Sequence, residues 1–149
     1  MLNIVGQAPG RTSDPDRPLE ARNSRERLEH LLSVSLDECH VVNLLSKYPG
    51  PAAGKGDLFP LHRARRAARV IDLATAPVVL VGLRVAEAFG VEHPRHFQRC
   101  EVRGRPAIVV PHPSGVSTWW NDPRNVEAGR AEVLAWKTKW KTLLKKHTT

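Results

Sequence analysis

The chain has 149 residues, 41% of them hydrophobic and 26% charged, which describes one globular domain with a real core and excludes a disordered tail or a collagen-like fibre. Its 23 basic residues against 15 acidic ones leave a formal charge of +8 at pH 7, an excess that suits phosphate backbones, although an acidic protein partner would answer the same field. The 2 cysteines, Cys39 and Cys100, are too few for a disulfide scaffold, a four-thiolate zinc site or a cysteine-ligated iron-sulfur cluster.

The chain opens with the apolar run Leu2-Asn3-Ile4-Val5, read as a strand, and passes into Gly6-Gln7-Ala8-Pro9-Gly10. Residues 11–22 are Pro, Asp, Ser and Arg with almost nothing to bury, so they are expected to form a surface loop. Asn23 followed by Glu26 has the spacing of a capping box ahead of a short helix with Leu28, Leu31 and Leu32 on one side. Asp37 and Glu38 open a turn before a buried strand over residues 41–45, which carries a single amide, Asn43. A loop rich in Pro, Gly and Ala leads to a second helix from Pro60 to about Thr75, with Arg63, Arg65, Arg66 and Arg69 on its basic side.

Val78-Val79-Leu80-Val81 reads as a central strand giving way at Gly82 to a helix that Gly90 stops. Glu101-Val102 and Ala107-Ile108-Val109-Val110 flank the turn signal Gly104-Arg105, and the second run delivers Pro111-His112-Pro113-Ser114-Gly115. A basic helix is expected at about 123–146, with Asp122 as cap and Pro123 in its first turn. This alternation predicts one domain over residues 1–149, an α/β protein with a three-layer α/β/α arrangement around a largely parallel central sheet. Ligands of such folds bind beyond the carboxyl ends of the strands, and the loops opened by Gly6, Asn43 and His112 fall on that edge.

The apolar stretches at 77–83 and 107–111 are far shorter than the ~20 residues of a membrane helix. Met1-Leu2-Asn3 offers no basic leader, so no membrane association and a cytoplasmic location are expected. His93 and His96 stand apart from any recognisable ligand set, so no metal is expected.

Each polar string admits two roles when read alone. The glycines of residues 6–10 can bring backbone N–H groups close to an anionic or carbonyl-bearing ligand, or simply end a strand. Asn43 can donate and accept along one edge of a base, or serve a buried network. His112, fixed between two prolines, can donate to an oxygen gaining negative charge, or support its loop. Ser114 lacks the surrounding glycines of a nucleophile elbow.

Together, Gly6-Gln7-Ala8-Pro9-Gly10 and His112-Pro113-Ser114-Gly115, separated by the strand with Asn43, resemble the uracil-DNA glycosylase superfamily. The likeness is to its small bacterial and phage members with a GxxPG first motif and an HPSG second motif, and it spans roughly residues 2–125. It implies an α/β/α domain that flips a deaminated base from DNA and hydrolyses its N-glycosidic bond without metal or cofactor, acting as a monomer. By the same resemblance Gln7 would orient water, while Gly6, Ala8 and Pro9 would contact the base. Asn43 would read the uracil edge, and His112 would donate to uracil O2. Ser114 would clamp a phosphate, and the loop with Gly115, Ser117, Trp119 and Trp120 would push into the base stack, where a wedge offsets the cost of flipping. Arg11 and Lys47 flank the loops on the DNA side.

The chain departs from the pattern at Gln7-Ala8, where active relatives carry aspartate, glutamate or asparagine. Glutamine can orient a water but cannot take its proton. Catalysis would then rest on stabilising the departing base, or Asp14 or Asp16 would face the water, or the activity would be weak or altered. The alternatives are a DNA- or nucleotide-binding module that does no chemistry, and a partner protein docking through its lysine-rich C-terminal helix.

Overall fold

The computed structural model describes residues 1–8, 22–47, 49–52, 58–113 and 118–148. The apolar runs become β1 (Asn3–Gly6), β2 (His40–Asn43), β3 (Val78–Val81) and β5 (Arg105–Val110), and Arg99–Val102 adds an edge strand, β4. They form one sheet in the order β2-β1-β3-β5-β4, parallel throughout except for β4, which runs antiparallel to β5. The β4–β5 hairpin turns over Arg103 and Gly104 at φ 48° and 79°, the paired positive φ that a two-residue turn needs to match strand twist.

Alternation along the strands sends apolar side chains to both faces. Val5, Val78, Leu80, Ala107 and Val109 pack with α2 (Leu61–Val70) and α3 (Leu83–Ala88) on one side. Ile4, Val79, Val81, Ile108 and Val110 pack with α1 (Arg22–Leu32) and α4 (Pro123–Thr148) on the other. The result is a three-layer α/β/α fold with a mixed, mostly parallel sheet and, among the described residues, four α-helices. None of the described helices is long and apolar enough to cross a membrane.

The elements differ from their sequence reading at their ends, for local reasons. Asn23 lies inside the first turn of α1, not ahead of it as a cap. The apolar run of the second strand pairs as β2 only to Asn43; beyond it, the N–H groups of Leu44 and Leu45 donate to Gly6 and Gln7 carbonyls, each at 2.9 Å.

The second helix stops at Val70, short of Thr75, and side chains supply hydrogen bonds to the backbone that follows it. Arg103 donates to Ile71 O at 2.8 Å, and Ala74 O accepts from Asn3 Nδ2 at 3.0 Å and Arg105 Nε at 2.9 Å. Asn3 is fully buried, and its Oδ1 accepts from Ala74 N–H at 2.8 Å while Nδ2 also reaches Ala76 O at 3.0 Å. At the start of α4, Asp122 Oδ1 accepts from Arg124 N–H at 2.9 Å. The Arg124 guanidinium, and then its N–H, hold that carboxyl below its ordinary range.

Candidate active site

A crevice between two strands opens in a parallel sheet where their outgoing connections diverge. Here those strands are β1 and β3: β1 leads into α1 on one face of the sheet, and β3 leads into α3 on the other. Gln7 is the first residue beyond β1, Gly82 the first beyond β3, and His112 follows β5 by one proline. Asn43 is the last residue of β2 and stands in register with Gly6. Sheet topology alone therefore gathers residues from four parallel strands at one edge.

Gly82 is where the side chains meet. Its φ of 107° and ψ of 154° fall in a region that only glycine enters readily. A Cβ there would lie 3.3 Å from Gln7 Nε2, 3.5 Å from His112 Cβ and 3.6 Å from His112 Cδ2. The amide and the imidazole thus flank one bare stretch of backbone, pinned to the neighbouring strand by the Gly82 N–H donating to Val110 O at 2.8 Å.

Asn43 presents the opposite case to Asn3. The amide at the amino end of the sheet has partners for its oxygen and its nitrogen, whereas Asn43 Nδ2 and Oδ1 are both buried with no hydrogen-bond partner among the described residues. A buried amide without partners costs the fold about 1–3 kcal/mol. Arg130 Nε and Trp140 Nε1 are likewise buried without partners among the described residues, but Asn43 stands at the carboxyl edge of the sheet, where an incoming polar molecule could supply both bonds.

The loop bearing His112 is mounted from below. Pro111 and Pro113 are buried. The Trp120 indole N–H donates to the His112 carbonyl at 2.8 Å, and Pro113 O accepts from Arg27 at 3.2 Å and from Ser24 Oγ at 3.4 Å. Arg27 also stacks over the Trp120 ring, 5.9 Å from its centroid. Trp120 is only 8% exposed and belongs to the core beneath α1 and α4, so it supports the loop and is not available here as a wedge projecting towards DNA. Trp119 is half-buried, edge-on to Trp120 at 4.9 Å and tilted against Phe97 at 5.6 Å.

Of the other residues singled out in the sequence, Gly6 is buried at the end of β1, Ala8 packs against the α2–α3 side of the core, and Lys47 is exposed beyond β2. Pro9, Arg11, Asp14, Ser114, Gly115 and Ser117 lie outside the described residues, as do Asp16 and the rest of the first loop. The reading by motif missed Gly82, Ser24 and Arg27. A glycine directly after an apolar strand was the available signal for the first; the other two act through a carbonyl on a distant segment, which no local pattern announces.

The functional groups gathered among the described residues are two amides and an imidazole. Such a set can hydrogen-bond the edge of a planar heterocycle and donate to an oxygen gaining charge. Among the described residues, no group of three or more His, Cys, Asp or Glu side chains is placed to hold a metal ion. No protein-family model matches the chain, and no curated protein matches it.

Proposed function

We propose that the protein is a DNA glycosylase of the uracil-DNA glycosylase type, which hydrolyses the N-glycosidic bond of uracil or a related deaminated base flipped out of DNA. The observation that carries this reading is the convergence of Gln7 and His112 on Gly82 in the crevice between β1 and β3. Those residues belong to the two motifs behind the resemblance, and they are distant in sequence. The unpartnered Asn43 amide one strand away supports the same reading.

In this scheme the flipped base sits over Gly82, where the missing side chain lets a planar ring approach the backbone. Asn43 offers both a donor and an acceptor to the base edge. As the bond between the sugar and the base breaks, the electron pair moves onto the base, and His112 donates a hydrogen bond to the oxygen that gains charge. Its value lies in being fixed beforehand, which the prolines and the Trp120 bond provide. Gln7 orients the water that adds to the sugar carbon, and the proton this water loses passes through solvent to the departing base anion, leaving the neutral base and a sugar hydroxyl.

The experiment is base release. The protein is incubated with uracil-containing and matched uracil-free oligonucleotides, and abasic products are cleaved with alkali. Uracil-dependent cleavage that is lost in His112→Ala is the expected result, and no release at high protein concentration would overturn the catalytic reading. One observation favours a second reading, binding without hydrolysis: Gln7-Ala8 carries no carboxylate. Tight binding to an abasic duplex with no product formed from the uracil substrate would select it.

A further inference from the structure

The second helix carries a surface that the site does not use. In α2, Ala64 and Ala68 face the core, while His62, Arg63, Arg65, Arg66 and Arg69 are all exposed. At 100° per residue, His62, Arg65, Arg66 and Arg69 share one side, with Arg63 at its margin. The helix contains no acidic residue, and none of the four arginines has an ion pair or hydrogen bond among the described residues. Arg65 and Arg69 stand four apart, and Arg63, Arg66 and Arg69 succeed one another at three, so like charges are neighbours along the whole helix. That arrangement weakens a helix on its own; the fold draws nothing from it.

The chemistry of the face narrows its partner. Protein interfaces have a core of apolar and aromatic groups from which charge is depleted, and this face has no such centre: its exposed apolar residue, Val70, sits at the last turn. Guanidinium groups in a row, each with a planar fork of donors, suit phosphate oxygens. The helix is about 15 Å long, enough to follow several successive phosphates. It begins at the carboxyl end of β2, where Asn43 stands, and descends the flank of the sheet, so that Arg69 lies about 12 Å along the axis and, with Arg65, lines a hollow with Glu101 and Arg103 of the β4–β5 hairpin.

We infer that the arginine face of α2 is a phosphate-contact strip that grips duplex DNA along the flank of the domain, leading away from the base-binding crevice. The inference rests on the proposed glycosylase reading in taking DNA as the partner, but it concerns affinity for the backbone and not the chemistry.

The test measures binding of the full chain to a short, undamaged, fluorescein-labelled duplex by anisotropy across a KCl series. Each lost phosphate contact lowers the slope of log K against log salt by about 0.9, so R66Q/R69Q is expected to lower it by up to about 2 and to weaken binding at fixed salt. Glutamine is nearly as good a helix former as arginine, and circular dichroism checks that the fold is kept. R66K/R69K keeps the charge and should keep most of the slope. K139Q/K141Q removes the same charge from α4 and should leave the slope unchanged.

A wild-type slope in R66Q/R69Q would overturn the inference. So would an equal loss in the α4 variant, or binding of the wild type to polyglutamate but not to duplex. Base release separates the two claims: no release with a lowered α2 slope removes the glycosylase and keeps the strip, while normal release with an unchanged slope does the reverse.

Discussion

Replacing Gly82 with alanine tests whether this glycine is the floor of the site or only a strand-ending turn. Two costs arise. The backbone at φ 107° and ψ 154° is held in a region where a side chain costs about 1–3 kcal/mol. The new methyl would also meet Gln7 Nε2 at 3.3 Å, so that amide must give by a few tenths of an ångström, while the His112 side chain at 3.5 and 3.6 Å is in ordinary contact. For a chain of this size, with roughly 2–4 °C per kcal/mol, the backbone cost alone lowers the melting midpoint by about 2–12 °C. Displacing a positioned group by a fraction of an ångström should lower base release by about 10–100-fold.

Gly104→Ala supplies the control. Its φ is 79°, but nothing lies within 4 Å of the added carbon, and it sits in the β4–β5 turn. Thermal denaturation followed by circular dichroism should show comparable destabilisation in the two variants, while base release at a temperature where both are folded should fall only in Gly82→Ala. Full release by Gly82→Ala, or an equal loss in Gly104→Ala, would refute the reasoning.

The two contrasting amides give a paired prediction. Asn43→Leu should leave stability unchanged or raise it by about 1–2 kcal/mol in urea denaturation, because it removes buried polar atoms without partners, yet it should abolish uracil-dependent binding. Asn3→Leu should cost about 3 kcal/mol, from three hydrogen bonds at about 1 kcal/mol each; a smaller loss than in Asn43→Leu would invert the assignment. Trp120→Phe removes the donor to the His112 carbonyl and should cost about 2 kcal/mol. It should lower kcat more than it raises KM, and an unchanged kcat would show that the loop needs no such anchor. Burial pushes the Cys39 and Cys100 thiols up, at Cys39 against an opposing backbone hydrogen bond from Leu2. At pH 8 both should therefore be alkylated more slowly than free cysteine, by mass spectrometry, with the difference lost in urea; native rates equal to free cysteine would contradict the burial.

What the sequence revealed follows from the range of the interaction that matters. Continuous apolar runs such as Val78-Val79-Leu80-Val81 are buried on both faces, so composition alone marked them as strands of a parallel sheet. The edge carrying Asn43 and His112 followed from that topology. Helix ends were less legible: α2 ends where Arg103, Arg105 and Asn3 take its last and following carbonyls, and those partners lie 31 or more positions away. Trp120 shows the same limit. The resemblance put Trp119 and Trp120 in a loop expected to push into the base stack, and no local pattern announced that the Trp120 indole finds its hydrogen bond inward, at a carbonyl eight positions back. β4 alternates charged and apolar residues, Arg99-Cys100-Glu101-Val102, with Cys100 and Val102 turned to the core, but at four residues the alternation is too short to mark a strand without its partner β5.

The direction of α4 separates two properties usually inferred from one number. The helix starts at Pro123, beside the edge that holds His112, and descends the sheet until Trp140 and Lys141 lie with Leu2 and Cys39 at the opposite end. Lys137, Lys139 and Lys141 are thus about 20 Å or more along the axis from its start, more than two Debye lengths of about 8 Å in physiological salt. Retention on a cation exchanger registers every lysine, whereas a ligand at the crevice feels mainly the charges near it. Neutralising the α4 lysines would therefore shift chromatographic behaviour and isoelectric point while leaving recognition at the crevice intact, a practical handle for purification variants.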